Sequence, residues 1–170
     1  MACTTIIFWI FVACLLYAYI GYGIIATTIA FVYSITKKQD TVVLEMSLPK
    51  VTLIVPAYNE LDILPQKIHN TLALDYPTDL LDIIFITDGS TDDCTTLLQS
   101  FSNMLHLHQP ERKGKMAAMN RAMQFVKTPI VVFSDANTLL NSIAIREMVR
   151  HYANETIGGV AGEKKVIANF

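Results

Sequence analysis

Apolar and polar residues alternate in blocks along this chain, and the first block differs from the rest. From Met1 to Thr36 there is no charged residue. The apolar part, from about Thr5 to Ile35, is long enough to cross a hydrocarbon core of ~30 Å as a helix rising about 1.5 Å per residue. A cleaved signal peptide is the competing interpretation, but it requires a basic n-region and a shorter apolar core. We therefore expect a membrane-spanning helix.

Lysines follow this apolar block on one side only. Lys37 and Lys38 come directly after it, whereas no lysine or arginine precedes it. The positive-inside rule then places everything after residue 38 in the cytoplasm. We expect a single-pass anchor in the cell membrane over residues 1–38, a polar linker over 39–50, and a cytoplasmic domain over 51–170.

After residue 50, short apolar runs alternate with amphipathic segments. The runs predict strands at 51–55, where Pro56 ends the strand, and at 82–87, 104–108 and 130–134. The amphipathic segments predict helices at 62–73, from a Ser90 N-cap to about 102, at 115–126, and at 142–154 with Asn141 or Ser142 as N-cap. Residues 158–162 resemble the start of another strand. This alternation predicts an α/β fold, with a parallel sheet covered by helices on both faces.

Composition excludes several classes of function. The chain has 170 residues and a formal net charge of -2, which gives no electrostatic basis for binding nucleic acid. Its three cysteines, Cys3, Cys14 and Cys94, show no paired spacing. In a cytosolic domain they predict neither a disulfide nor a zinc site.

Polar residues follow three of the predicted strands at the points where those strands end. The three sets are Pro56, Ala57, Tyr58, Asn59 and Glu60; Thr87, Asp88, Gly89, Ser90, Thr91 and Asp92; and Ser134, Asp135, Ala136 and Asn137. One such set is compatible with an ordinary turn, since Asp, Asn and Gly are common turn residues. Because the carboxyl ends of parallel strands meet at one edge of a sheet, three sets favour a ligand site there.

The chemistry of these side chains suits a nucleotide and a cation. Asp88 can accept a hydrogen bond from the ring N–H of a uracil-like base, a proton that cytosine lacks. Gly89 would let the backbone pass close to a ligand. Asp135 and Asn137 supply hard oxygen ligands of the kind that Mg²⁺ or Mn²⁺ prefers.

A basic segment precedes the helix predicted at 115–126. Lys115 and the N-terminus of that helix could together hold a diphosphate. We expect Arg112, in contrast, to be a solvated turn residue. Asn120, on the exposed or ligand-facing side of the helix, is a further binding candidate.

Taken in order, the segments 51–60, 86–92, 112–120 and 133–137 closely resemble the nucleotide-sugar half of the family 2 glycosyltransferases. The resemblance covers about residues 50–165. It implies a GT-A type fold, a UDP-sugar or similar donor, a divalent cation, and inverting transfer to a glycan or other hydroxyl acceptor. Membrane-anchored members that resemble polysaccharide synthases share the layout of a span before the catalytic domain.

By position, the resemblance assigns roles to single residues. The loop from Pro56 to Glu60 and Asp88 would hold the base and ribose, and Lys113 and Lys115 would face the donor phosphates. Asp135 and Asn137 stand at the Asp-x-Asp position of the family, where the second aspartate is here an asparagine. The missing negative charge is expected to weaken cation binding.

The resemblance also implies what these residues lack. Inverting transfer needs a general base, and in this family that carboxylate and the acceptor-side motif lie well downstream, beyond Phe170. We expect the chain to be the donor-binding part of a longer enzyme. A membrane-tethered binding module without catalytic activity is an alternative. A sugar-phosphate nucleotidyltransferase is another, but it would carry a glycine-rich basic loop in place of Ala57 to Glu60.

Overall fold

The computed structural model describes residues 2–36 and 47–165, with side chains described for 2–32 and 47–165. Lys37, Lys38 and most of the predicted linker lie outside the described residues. The chain divides into two compact units, Met1–Val43 and Leu44–Phe170. We describe each unit separately.

In the N-terminal unit, the described residues 2–36 form one continuous helical segment. Helices α1 (Ala2–Leu16) and α2 (Tyr22–Thr36) are joined by a π-helical turn, Tyr17–Gly21. Within it, Ala2–Val32 has a mean hydropathy of 2.2 over a stretch of 31 residues, so it is long and apolar enough to cross a membrane, and none of its residues is buried in the protein. Its polar side chains Thr27 and Thr28 donate hydrogen bonds to the carbonyls of Gly23 and Ile24, at 2.8 and 2.7 Å. The two hydroxyl groups therefore need no water molecule as a hydrogen-bond acceptor.

The second unit is built on a four-stranded sheet. Strands β1 (Val51–Ala57), β2 (Leu81–Asp88), β3 (Leu105–Gln109) and β4 (Ile130–Phe133) pair in parallel in the order β3-β2-β1-β4. The predicted parallel sheet is confirmed. Because β1, β2 and β4 are parallel, their carboxyl ends lie at the same edge of the sheet.

Helices cover both faces of the sheet, as predicted. Helices α3 (Leu64–Leu72), α4 (Cys94–Gln99) and α6 (Ala144–Val149) pack on one face, and α5 (Lys115–Met123) packs on the other. Successive side chains of β1 serve the two cores in turn, since Leu53 and Val55 belong to the first and Ile54 to the second. Parallel strands buried on both faces explain the uninterrupted apolar runs in the sequence.

Several predicted ends of elements differ from the structure by one to three residues. Pro56 does not stop the first strand, since β1 continues to Ala57 and Pro56 pairs opposite Ile86. The helix predicted from Ser142 begins at Ala144 and continues after α6 as a 3-10 turn, Arg150–Ala153. No strand is assigned at 158–162, so the predicted fifth strand is also absent from the described residues.

The predicted Ser90 N-cap was wrong as well. Helix α4 starts at Cys94, and its first N–H donates to Asp92 Oδ1 at 3.3 Å. Ser90 Oγ instead accepts a hydrogen bond from the backbone N–H of Asn59 at 3.3 Å. Ser90 and Asp92 both offer a side-chain oxygen near the start of α4, and contacts with another loop determine which of them accepts the helix N–H.

Candidate functional site

A cavity of about 210 Å³ opens at the carboxyl edge of the sheet. It is formed by the ends of β1 and β2, by the loop after β4 and by the start of α5. Its lining residues are Pro56, Ala57, Tyr58, Glu60, Asp88, Arg112, Gly114, Lys115, Ala118, Asp135, Ala136 and Asn137. The structure therefore brings residues from all three polar strand ends to one place.

Asp88, the last residue of β2, lies at the floor of this cavity and is only 5% exposed. Its Oδ2 accepts hydrogen bonds from the backbone N–H groups of Lys113 and Gly114, at 2.8 and 2.6 Å. Its Oδ1 is buried and accepts no hydrogen bond, although Arg121 Nη1 lies 3.5 Å away. A buried carboxylate oxygen without a hydrogen-bond donor is costly, and the nearby charge of Arg121 offsets part of that cost.

The loop before α5 closes over the end of β2 because residue 89 is a glycine. Gly89 has a φ of 69°, and a Cβ there would lie 2.7 Å from the Cβ and the backbone nitrogen of Arg112. The Arg112 guanidinium lies 3.9 Å from the centroid of the Tyr58 ring, in a cation–π contact. Arg112 is therefore part of the cavity wall, while its side chain stays exposed, as expected for a solvated residue.

Asn59 holds two of the loops together. It has a φ of 51°, a backbone conformation that asparagine tolerates better than most residues. Its Oδ1 accepts a hydrogen bond from the Thr91 N–H at 2.8 Å, and nearby the Leu61 N–H donates to Asp92 Oδ2 at 3.0 Å. These contacts orient Tyr58 and Glu60, which line the cavity on either side of Asn59.

Asp135 and Asn137 face the cavity from the loop after β4. Lys115 Nζ donates to Asp135 Oδ1 at 2.5 Å, and both side chains are about half exposed. This hydrogen bond holds the pKa of Asp135 below its usual value, with help from the charges of Lys164 and Lys67 and against the effect of partial burial. Asp135 thus stays ionised at neutral pH.

A divalent cation fits this donor set only if water and substrate phosphates supply its remaining ligands. Asp135 and Asn137 offer one carboxylate and one amide, both hard oxygen ligands on one side of the cavity. Within residues 2–36 and 47–165, no group of three or more His, Cys, Asp or Glu side chains could hold a metal ion. The remaining coordination positions would therefore belong to water and to substrate phosphates.

Four of the predicted binding residues do not line the cavity: Asn59, Gly89, Lys113 and Asn120. The first two shape its walls, as described above. Lys113 contributes its backbone N–H to Asp88, and its side chain is exposed, like that of Asn120. A direct contact between any of these four and a ligand stays a prediction.

Two cationic side chains next to the site, one buried and one partly buried, escaped the sequence analysis. Arg121 Nη2 donates to the Thr87 carbonyl at 3.2 Å, beside Asp88. Lys67 is fully buried and donates to Ser134 Oγ at 2.7 Å, at the start of the loop that carries Asp135. A signal for Lys67 does exist in the sequence, because it lies one residue before Ile68 on the apolar side of a helix, where a charged residue is unusual.

The chain matches the model of Glycosyl transferase family 2 over residues 52–168. Among curated proteins, it is 28% identical to a poly-beta-1,6-N-acetyl-D-glucosamine synthase of Staphylococcus aureus, over 79% of this chain and 32% of that protein. It is 30% identical to the probable glycosyltransferase YdaM of Bacillus subtilis, over 71% of this chain and 30% of that protein. The chain thus spans about a third of the length of these relatives.

Solved structures give the same fold. The mannosyltransferase PcManGT of Pyrobaculum calidifontis, in complex with GDP-Man and Mn²⁺, superposes with a TM-score of 0.77 at 27% identity and covers 86% of this chain and 44% of its own. TarS of S. aureus, in complex with UDP-GlcNAc, superposes with a TM-score of 0.57 at 17% identity. The match covers 68% of this chain and 37% of TarS. With the family match over most of the sheet domain, these findings show that the chain belongs to glycosyl transferase family 2 and has a GT-A type fold.

Proposed function

We propose that residues 51–165 hold the nucleotide-sugar donor of an enzyme that transfers the sugar, with inversion, to a glycan or other hydroxyl acceptor. The expected nucleotide is UDP. The observation that carries this proposal is the Asp88 carboxylate, which lines the cavity, is only 5% exposed, and has an Oδ1 that accepts no hydrogen bond although Arg121 Nη1 lies 3.5 Å away. A uracil ring would donate its N–H to this carboxylate, and Tyr58 lines the same cavity.

The similar proteins support this assignment. The solved mannosyltransferase binds GDP-Man with Mn²⁺, and TarS binds UDP-GlcNAc. The S. aureus relative is named as a polysaccharide synthase. Membership of the glycosyltransferase family also removes the nucleotidyltransferase alternative.

Calorimetry on the full chain in detergent micelles tests the proposal. We expect UDP to bind in the presence of Mn²⁺, and CDP to bind at least about tenfold more weakly because cytosine cannot donate to Asp88. GDP is the third ligand, since guanine also carries a ring N–H. Failure of all three nucleotides to bind would overturn the donor site, and equal affinities for UDP and CDP would remove the role of Asp88.

The diphosphate and cation corner is proposed to lie between Lys115 and Asp135. Lys115 would leave Asp135 and turn towards the donor phosphates, while Asp135 and Asn137 would hold Mg²⁺ or Mn²⁺. Such an ion would neutralise the charge that develops on the departing diphosphate. The ion pair is about half exposed, so exchanging it for these contacts costs little.

Asn137→Asp is expected to tighten Mn²⁺ binding about tenfold, because a second carboxylate adds a negative ligand to the site. Titration of Mn²⁺ in the presence of UDP measures the effect. Asn141→Asp is the matched control, since Asn141 is exposed on the same connection but does not line the cavity. Unchanged affinity in Asn137→Asp, or an equal gain in Asn141→Asp, would count against a ligand role for Asn137.

We also propose that the helix formed by α1 and α2 is a single-pass anchor in the cell membrane, with the sheet domain in the cytoplasm. Its length, its mean hydropathy of 2.2 and the absence of charge support the anchor, and Lys37 and Lys38 support the orientation. In intact cells, a thiol reagent that cannot cross the membrane should label Cys3. Labelling of Cys3 only after the cells are opened would contradict the proposed orientation.

A further inference from the structure

The largest of the fully buried side chains described belongs to a lysine. Lys67 lies on α3, is 0% exposed, and donates from Nζ to Ser134 Oγ at 2.7 Å and to the Thr138 carbonyl at 2.5 Å. Ser134 and Thr138 are the two ends of the loop that carries Asp135 and Asn137. We propose that Lys67 is a positioning residue that holds this loop in the conformation needed to bind a divalent cation, which rests on the donor-binding function proposed above.

The two ends of the loop are anchored differently. The first end continues the sheet, because the Ser134 N–H donates to the Ile54 carbonyl at 3.1 Å. The second end has no strand to hold it, and the Thr138 N–H bonds only within the loop, to the Asp135 carbonyl at 3.1 Å. Lys67 joins the second end to the first through one ammonium group, so it sets the distance across the loop.

Helix α3 makes a second contact with the chain that follows β4, at Leu140. Asn70, one turn after Lys67, donates to the Leu140 carbonyl and accepts from the Leu140 N–H, both at 2.8 Å. Asn70 therefore anchors the same connection through neutral contacts, three residues beyond Asn137. This pair allows a matched comparison between anchoring in general and positioning of the cation ligands.

A lysine is an expensive choice for a buried position. Burial lowers its pKa to about 8, although the nearby charge of Asp135 acts in the opposite direction. At neutral pH the amine is still mostly charged, so the fold carries a buried ammonium that an apolar side chain of similar size would avoid. Packing alone does not require that charge, whereas a clamp on a hydroxyl and a carbonyl requires a donor with several hydrogens.

The sign of the expected effect separates positioning from simple electrostatics. A positive charge beneath Asp135 repels a cation, so removing that charge would by itself strengthen Mn²⁺ binding. Loss of the clamp would instead weaken it, because misplaced supporting groups typically cost 10- to 100-fold, in order of magnitude, in metal affinity. A weaker affinity in a variant without the charge therefore reports on loop geometry.

The test compares wild type, Lys67→Met, Ser134→Ala and Asn70→Ala in the full chain in detergent. We expect Mn²⁺ affinity in the presence of UDP to fall about tenfold in Lys67→Met and about threefold in Ser134→Ala, which keeps the charge but loses half of the clamp. UDP binding in EDTA, which depends on Asp88, should stay within about twofold in all variants. Asn70→Ala should lower the melting temperature by roughly 5 °C with little effect on Mn²⁺.

The outcomes that contradict these proposals are as follows. Unchanged or tighter Mn²⁺ binding in Lys67→Met together with unchanged binding in Ser134→Ala would overturn the proposal, as would an equal loss in Asn70→Ala. If Lys67→Met does not fold, Ser134→Ala decides alone, since it removes one hydroxyl without opening a large space. A wild type that binds neither UDP nor Mn²⁺ would refute the proposed function instead.

Discussion

Replacing Asp88 with asparagine is expected to weaken UDP binding about 100-fold and to lower the melting temperature, because the mostly buried ion pair with Arg121 is lost. Oδ2 of Asp88 accepts two backbone N–H groups, from Lys113 and Gly114. The amide oxygen of the variant must take that position, because an NH₂ group there would face two donors. The NH₂ group then replaces Oδ1 and points its hydrogens at the uracil N–H. Calorimetry with UDP and Mn²⁺ measures the loss.

The same variant should change the preference among bases. Cytosine carries an acceptor at the ring position where uracil carries N–H, so Asp88→Asn should bind CDP better than wild type does. Asp82→Asn is the control, since Asp82 lies near the other end of β2 and is exposed. UDP binding as tight in Asp88→Asn as in wild type would show that Asp88 does not read the base.

Asp135→Asn is expected to weaken Mn²⁺ binding about 100-fold, because the one charged ligand of the proposed cation site becomes neutral. The ion pair with Lys115 is also lost. Both side chains are about half exposed, at 46% and 57%, so this loss should cost less than about 1 kcal/mol of folding free energy. Titration of Mn²⁺ in the presence of UDP measures the loss of cation affinity. Thermal unfolding of the same variant measures the loss of stability.

Lys115→Met separates the two roles of Asp135. It removes the same ion pair but leaves the carboxylate free, so Mn²⁺ should bind as tightly as in wild type or more tightly. UDP should bind more weakly, because the diphosphate loses a cation. If Asp135→Asn and Lys115→Met changed Mn²⁺ affinity in the same direction, Asp135 would act only as the partner of Lys115.

Much of the fold was predictable from local patterns. The apolar runs at Val51 and Ile130 lack alternation, which is typical of parallel strands buried on both faces, and the structure has both strands in a parallel sheet. Ends of elements were harder to predict. Ser90 and Asp92 offer similar acceptors within three residues, and the choice between them depends on Asn59 and Leu61, which come from another loop.

The polar residues at strand ends were a good guide to the position of the cavity, for a topological reason. Parallel strands must end on the same edge, so Asp88 and Asp135 could be expected near each other without any knowledge of side-chain contacts. The loop before α5 was harder, because the place of Arg112 depends on the close approach that Gly89 permits. That approach joins residues more than twenty positions apart.

By itself, the sequence determined the uncharged N-terminal helix, the parallel sheet and the edge at which polar residues collect, because these follow from hydrophobic periodicity and strand direction. Only the tertiary structure decided which atoms remain free. It buried Oδ1 of Asp88 beside Arg121 without a hydrogen bond, and it placed Lys67 beneath the loop that carries Asp135. Lys67 and its partner Ser134 are 67 residues apart, and no local pattern reports a hydrogen bond over that separation.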